Sequence, residues 1–495
     1  MNIISRRHAI AGLATGLLAG TFTSRAAWGQ ESAAPGDFLA DHLAAYANGL
    51  RFSDLDAAAI EAAKAHLIDA LGCAMVALNE EPVRICREVA LLAQGGASTI
   101  LGTDKKTTMD LAAFANGVAV RYFDYNDIYV GKEPGHPSDI IPACLAVGEA
   151  ERAGGQDLLT AIVLAYEINC RLLDAASLTV RGWDHPIYSL PAAALAAGKL
   201  MRLGSPKLTQ AINLAISGHL AMNQTRVQVL SDWKGVADPD AVRNGVFAAL
   251  LARGGLTGPA PIFEGRAGLF KQVSDPFTID IGAFGGRGTK FKILDCSFKL
   301  YPAQGYSLTA IPAGIAVAHE AGGVDRITKL EIATTHFGYI SAGRDAEKWT
   351  PQTRETADHS LPYIVARAMF DGDISNASFS KDKITDPRIR AFMQKITVQE
   401  DPALTALLPK AVPTRVTATL DDGRVVSQQV DDLPGFAGRR MERGDVEQKF
   451  RKNVTGILSD QKTKAALEAF WTLDRQSNVS QLLANFVAEP LGHRR

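Results

Sequence analysis

Apolar positions recur at three- and four-residue steps through much of residues 53–255. In SDLDAAAIEAAKAHLIDALGCAMVAL, Ile60, Ala63, Leu67, Leu71, Ala74 and Leu78 fall on one face, which predicts an amphipathic helix with Ser53 as its N-cap. Further helices are predicted over 156–173 and 191–203, the second closed by Gly204, and Ser205-Pro206 opens another. Asp238-Pro239 starts a helix that runs to Gly254-Gly255. After about residue 257 the pattern changes. The runs FGGRGTKFKILDCSFKLYP, KLEIATTHFGYI, KITVQED and PTRVTATLDDGRVVSQQV alternate and predict strands, with Asp422-Gly423 as a hairpin turn. Helical pieces lie around 307–319 and 360–370, and residues 445–487 return to helix and are expected to pack back on the first half.

The polar residues interrupt this pattern unevenly. YFDYNDIYVGKEPGHPS, residues 122–138, gathers Asp124, Asn126, Asp127, three tyrosines and His136 between two alanine-rich apolar segments. A loop held by rigid helices is where chemistry is commonly built, although a solvated connection has the same composition. His185 stands before Pro186, so it lies at a helix break. Lys234 precedes the Asp238-Pro239 helix start, a place suited to holding a carboxylate. His66 sits alone on its helix and reads as structural.

Composition narrows the classes. Of 495 residues, 47% are hydrophobic and 21% charged, and 52 Lys plus Arg nearly cancel 53 Asp plus Glu, so no charge-driven nucleic-acid or membrane binding is indicated. Five widely spaced cysteines form no CxxC, and no His/Cys pair has metal spacing, so neither a metal nor an iron–sulfur cofactor is expected. Gly285-Gly286-Arg287-Gly288 has neither Walker spacing nor a dinucleotide fingerprint. At the N-terminus, Arg6-Arg7 precede a short apolar run and small residues near Ala26 and Ala27, which predicts a cleaved twin-arginine-type export signal over residues 1–30 and a periplasmic protein. The apolar run is below the roughly 18–20 residues of a span, so no stable membrane insertion is expected.

FDYNDIY followed by GHPSDIIPACLAVGE, then GWDHP, WKG before DPDAVRNGVFAALLARGGLTGP, FKLYPAQGYS and RETADHSLPYIVARAMFDG together resemble the MmgE/PrpD family. The resemblance covers residues 36 to about 485. It implies a large all-α domain, 36–270 completed by 440–487, plus a smaller α+β lid domain over 271–435, assembled as a homodimer. It also implies a cofactor-independent lyase acting on a small di- or tricarboxylate, foremost dehydration of a 2-methylcitrate-like hydroxy acid. Decarboxylase or epimerase activity, or an exported carboxylate-binding protein without chemistry, are the alternatives. By the same resemblance, Asp124, His136, His185 and Tyr363 are the candidates for proton transfer, and Lys234, Lys299 and Gln304 for binding substrate. Two departures from the family pattern stand out: Gln304, where relatives carry an ionisable residue, and Ile128, where they carry threonine. An insertion near 130–135 is a candidate source of specificity. Asp124→Asn is expected to abolish turnover without unfolding the chain.

Overall fold

Small residues let the helices of the first half approach closely. In the helix Met109–Arg121, a Cβ added to Gly117 would lie 3.0 Å from the ring of Pro239, at the start of Ala237–Arg253. The computed structural model describes residues 37–286, 288–436 and 439–487, and the expected export signal falls outside them. Ala57–Ala77, Gly155–Ala175, Pro186–Leu200 and Ala237–Arg253 enclose one hydrophobic core, and Arg443–Val454 returns to pack along Ala57–Ala77. Among the described residues no helix is long and apolar enough to cross a membrane.

A second core forms around a four-stranded sheet in the order Ile396–Glu400, Ile327–Thr334, Thr414–Leu420, Val425–Val430. The first pair is parallel and the other two are antiparallel. Thr414–Leu420 buries every second residue, and the hairpin turns at Gly423 with φ 84°, as the Asp-Gly signal requires. Ala310–Ala321 covers the sheet beside Leu361–Asp371. The helix-rich first half and the small C-terminal sheet follow the two changes of periodicity in the sequence.

Three local expectations are corrected. The first long helix is capped by Asp56, whose carboxylate accepts the Ala59 N–H at 2.7 Å, while Ser53 lies in a separate turn, Phe52–Asp54. The helix expected to begin at Pro191 begins at Pro186, because a proline in the first turn forfeits no hydrogen bond. Residues 284–286 and 288–302 are not strands. Phe284, Phe291, Ile293 and Phe298 each bury against the helices of the first core, so this segment wraps that core in short 3-10 turns instead of pairing along an edge. A backbone bridge, Ile128 with Ser297, ties it to the polar loop.

Ile128 itself is buried in the second core although it belongs to the loop of the first half. Gly305 makes room for it: a Cβ there would lie 2.4 Å from Ile128 Cδ1. The residue that departs from the family pattern is therefore an apolar peg between the two cores.

Candidate functional site

The helix Met109–Arg121 ends just before the polar loop, and Asp124 turns back on it. Its φ is 50°, in the left-handed region that aspartate enters more readily than most residues, and its N–H donates to the Arg121 carbonyl at 3.0 Å. This backbone conformation is held by its surroundings: Lys449 donates to the Tyr125 carbonyl at 2.9 Å, and Asn126 donates to Ser138 at 2.8 Å and Asp139 at 2.7 Å. The Asp127 carboxylate accepts from Ser138 Oγ and from Tyr166, both at 2.6 Å. His66, stacked on Phe298, lies 3.0 Å from the same carboxylate. The loop thus arrives at the junction of the cores with almost no freedom.

Asp124 is the centre of charge. Oδ1 accepts from Arg121 and, at 2.7 Å, from Lys299, while Lys234 lies 3.6 Å from Oδ2. Lys299 also donates to the Asp124 carbonyl at 2.9 Å and the Ala303 carbonyl at 3.3 Å, so its three hydrogens are engaged. Gly235 allows the approach of Lys234, since a Cβ there would stand 3.3 Å from Tyr122 Cα. Burial alone would raise the Asp124 carboxyl, but Arg121, Lys299 and Lys234 overcome that and hold it well below the usual carboxylate range. Burial brings Lys299 down to about 8, against the opposing attraction of Asp124.

Two histidines face the two oxygens of this carboxylate. His136 Nδ1 donates to the Asp127 carbonyl at 2.6 Å, which leaves the Nε2 lone pair 3.8 Å from Asp124 Oδ1. His359, from the second core, donates Nδ1 to Asp358 at 2.6 Å and places Nε2 3.7 Å from Asp124 Oδ2. Burial, with Arg121 and Lys299, holds His136 well below 6.5; burial, with Lys234, lowers His359 to about 4. Both are neutral near pH 7. His185 is their opposite. It lies between Asp238 at 2.8 Å and Asp184 at 3.0 Å, and although burial lowers its pKa, these carboxylates bring it up to about 9. Its ring is 5.7 Å from that of His136, so a neutral and a charged imidazole stand side by side. Arg226 closes the set with a contact to Asp184 at 3.0 Å.

Of the residues singled out in the sequence, Asp124, His136, Lys234 and Lys299 converge, and His185 borders them. Gln304 reaches the site through its backbone, whose N–H donates to the Asp358 carbonyl at 2.9 Å; its side chain is already satisfied by Ser307 and Ser341, both at 3.0 Å. Tyr363 is not part of the cluster. It is buried in the second core, its hydroxyl donates to the Ser378 carbonyl at 2.6 Å, and the charges around it are Arg367, Asp371, Arg390 and Asp386. The reason is helical geometry. Ser360 caps Leu361–Asp371, so Asp358 and His359 project from the chain before the helix, whereas Tyr363 turns inward on its first turn. Arg121, Asp358 and His359 were missed. The signal for the last two was a polar pair immediately before a cap and a first-turn proline.

The insertion is an anchor. Tyr129–Val130 pairs with Pro134–Gly135, and buried Glu133 accepts from Ser177 Oγ and the Leu178 N–H, both at 2.7 Å, and from the Thr179 N–H at 3.1 Å. It thereby fixes the start of the segment that carries Asp184 and His185. Among the described residues, no group of three or more His, Cys, Asp or Glu side chains is arranged to hold a metal ion.

The two halves of the chain match known family domains. The MmgE/PrpD N-terminal domain matches residues 41–281 and the MmgE/PrpD C-terminal domain residues 301–474. The chain is similar to cis-aconitate decarboxylase of Homo sapiens, 24% identical over 440 residues, covering 85% of this chain and 89% of the relative. It is also similar to 2-methylcitrate dehydratase of Cupriavidus necator, 26% identical, covering 83% and 89% of the two chains. The 2-methylcitrate dehydratase of Escherichia coli K12 is 27% identical, with 83% and 88% covered. With both domains matched in order across the described fold, the chain belongs to the MmgE/PrpD family.

Proposed function

We propose that this protein is a lyase for a small di- or tricarboxylate, acting as a hydro-lyase on a 2-methylcitrate-like hydroxy acid without a cofactor. The observation that carries this reading is the pair of neutral histidines, His136 and His359, with their Nε2 atoms toward opposite oxygens of Asp124 among buried lysines. Elimination of water next to a carboxylate requires a base for the carbon-bound proton, an acid for the leaving hydroxyl, and fixed cations for the charge that develops on the carboxylate. His136 Nε2 is the base in this assignment, since its other nitrogen is locked as a donor. His185, already an imidazolium, is the acid; donation requires that Nε2–H leave Asp238 for the substrate. Lys234 holds a substrate carboxylate, in place of part of its contact with Asp358 at 3.0 Å. Asp124 keeps the cations in position and does not itself exchange a proton, because its carboxylate stays ionised. Export to the periplasm and assembly as a homodimer belong to the same proposal.

A second reading has one observation in its favour. Neutral His136 beside charged His185 would also serve an epimerase, in which the first removes a proton on one face of the carbon and the second returns one on the other. Proton NMR in deuterated buffer separates the two, using a panel of hydroxy di- and tricarboxylates with His136→Ala and Lys234→Ala as controls. The hydro-lyase reading expects an alkene product that both variants lose. Deuterium incorporation with inversion and no alkene would select the epimerase; binding without exchange or product would overturn both.

A further inference from the structure

Buried lysines in this protein find partners. Lys234 is bound by Asp358, Lys299 by Asp124 and Lys449 by Asp69, the last at 2.7 Å. Lys348, in the short turn Ala346–Trp349 of the second core, does not follow them. It is 1% exposed, and among the described residues it is the one lysine with a buried ammonium that has no hydrogen-bond partner. Arg354 also has unmade hydrogen bonds, but its guanidinium lies 4.2 Å from the centre of the Phe123 ring and 5.3 Å from that of Phe379, which accounts for its place. Nothing comparable covers Lys348.

Its turn is joined to the site. Ser360 Oγ donates to the Lys348 carbonyl, which stitches this turn to the segment carrying Asp358 and His359. The charges that act on its ammonium are Asp358, Asp345, Lys234 and Glu347. Two of these, Asp358 and Lys234, form the ion pair beside Asp124, yet no carboxylate lies within ion-pairing distance of Lys348. Burial lowers its pKa to about 8, so it is still mostly charged near pH 7. A buried, unsatisfied ammonium is costly for a free protein. It is retained where a ligand supplies the missing anion.

We propose that Lys348 is a specificity-determining residue that binds one further carboxylate of the substrate, so that the site selects tricarboxylates over dicarboxylates. This rests on the carboxylate-lyase reading above, and the test keeps the two apart. Binding of tricarballylate and of glutarate, the same chain without the central carboxylate, is measured by calorimetry on the full protein and on Lys348→Met and Lys348→Gln. The expected result is a loss of about 10- to 100-fold in tricarballylate affinity in both variants, the energy of a hydrogen-bonded charge contact, with glutarate affinity unchanged. The melting temperature of ligand-free Lys348→Met should rise, because an unpaired charge has been replaced by an apolar chain of similar length. A merely structural lysine predicts the reverse: a lower melting temperature and an unchanged ratio of the two affinities. Should Lys348→Met fail to fold, Lys348→Gln carries the affinity comparison alone. If the wild type binds tricarballylate but the ratio does not move in the variants, only the role of Lys348 is lost. If the wild type binds neither compound, the carboxylate-lyase reading falls with it.

Discussion

The two sides of the site differ in how tightly they are fastened. On the side of the first core, the loop 122–138 is fastened residue by residue: Asp124 to Arg121 and Lys299, Tyr125 to Lys449, Asn126 and Asp127 to Ser138. On the side of the second core, residues 345–360 contribute His359, whose ring is held through Asp358, and Lys348, whose ammonium has no hydrogen-bond partner. Polar groups that satisfy one another in the free protein make a rigid frame but offer a ligand little. Unsatisfied ones destabilise the free protein and favour whatever completes them. The first side reads as preorganised scaffold and the second as the part completed by substrate.

Breaking the rigid side should have the largest effect. Asp124→Asn leaves Arg121 and Lys299 facing a neutral amide in a buried setting, so it should cost about 3–5 kcal/mol of stability as well as turnover. This replaces the simpler expectation of an inactive but stably folded variant, and urea unfolding checks it: a wild-type midpoint would show that the cations need no counter-charge. Next in size is His136→Asn, which should lower kcat by about 10²- to 10⁴-fold while leaving the fold intact, since the ring makes one hydrogen bond. Steady-state kinetics with wild-type kcat would remove His136 as the base.

The histidines also make opposite contributions to stability. His185 has a folded-state pKa raised from 6.5 to about 9, so the folded state holds the extra proton between those values, and stability falls as pH rises through that window. His359 is lowered from 6.5 to about 4, so the unfolded state binds the extra proton there, and stability falls as pH drops below 6.5. Each is worth at most roughly 3 kcal/mol by linkage. Lys299 and Lys348, both lowered from 10.5 to about 8, act in the opposite sense only at higher pH. Urea midpoints should therefore peak near pH 6.5, and His185→Gln should flatten the decline from pH 6.5 to 8. A wild-type midpoint that climbs over that interval would contradict the assigned imidazolium. The smallest effect is expected from Tyr363→Phe, which loses one hydrogen bond to Ser378, about 1–2 kcal/mol of stability, and leaves kcat unchanged.

These differences follow a line between local and non-local information. Helix periods, the Asp422-Gly423 turn, the polar loop 122–138 and the positions of His185 and Lys234 were legible because they depend on neighbours in sequence. The strand reading of residues 284–302 failed because alternation reports a half-buried surface, and packing on helices provides one as readily as a sheet does. RETADHSLPY holds both His359 and Tyr363, and only the turn of the helix decides which of them faces Asp124.

The helix-rich first half, the small C-terminal sheet and a set of polar residues suited to carboxylates are written locally, in backbone propensity and side-chain chemistry. Which of those residues meet, that Ile128 and Glu133 are buried as anchors of the loop, and that His136 is neutral while His185 is charged emerge only from packing. Protonation and pairing depend on burial and on charges brought together from residues 121 to 359, and no local pattern encodes that sum.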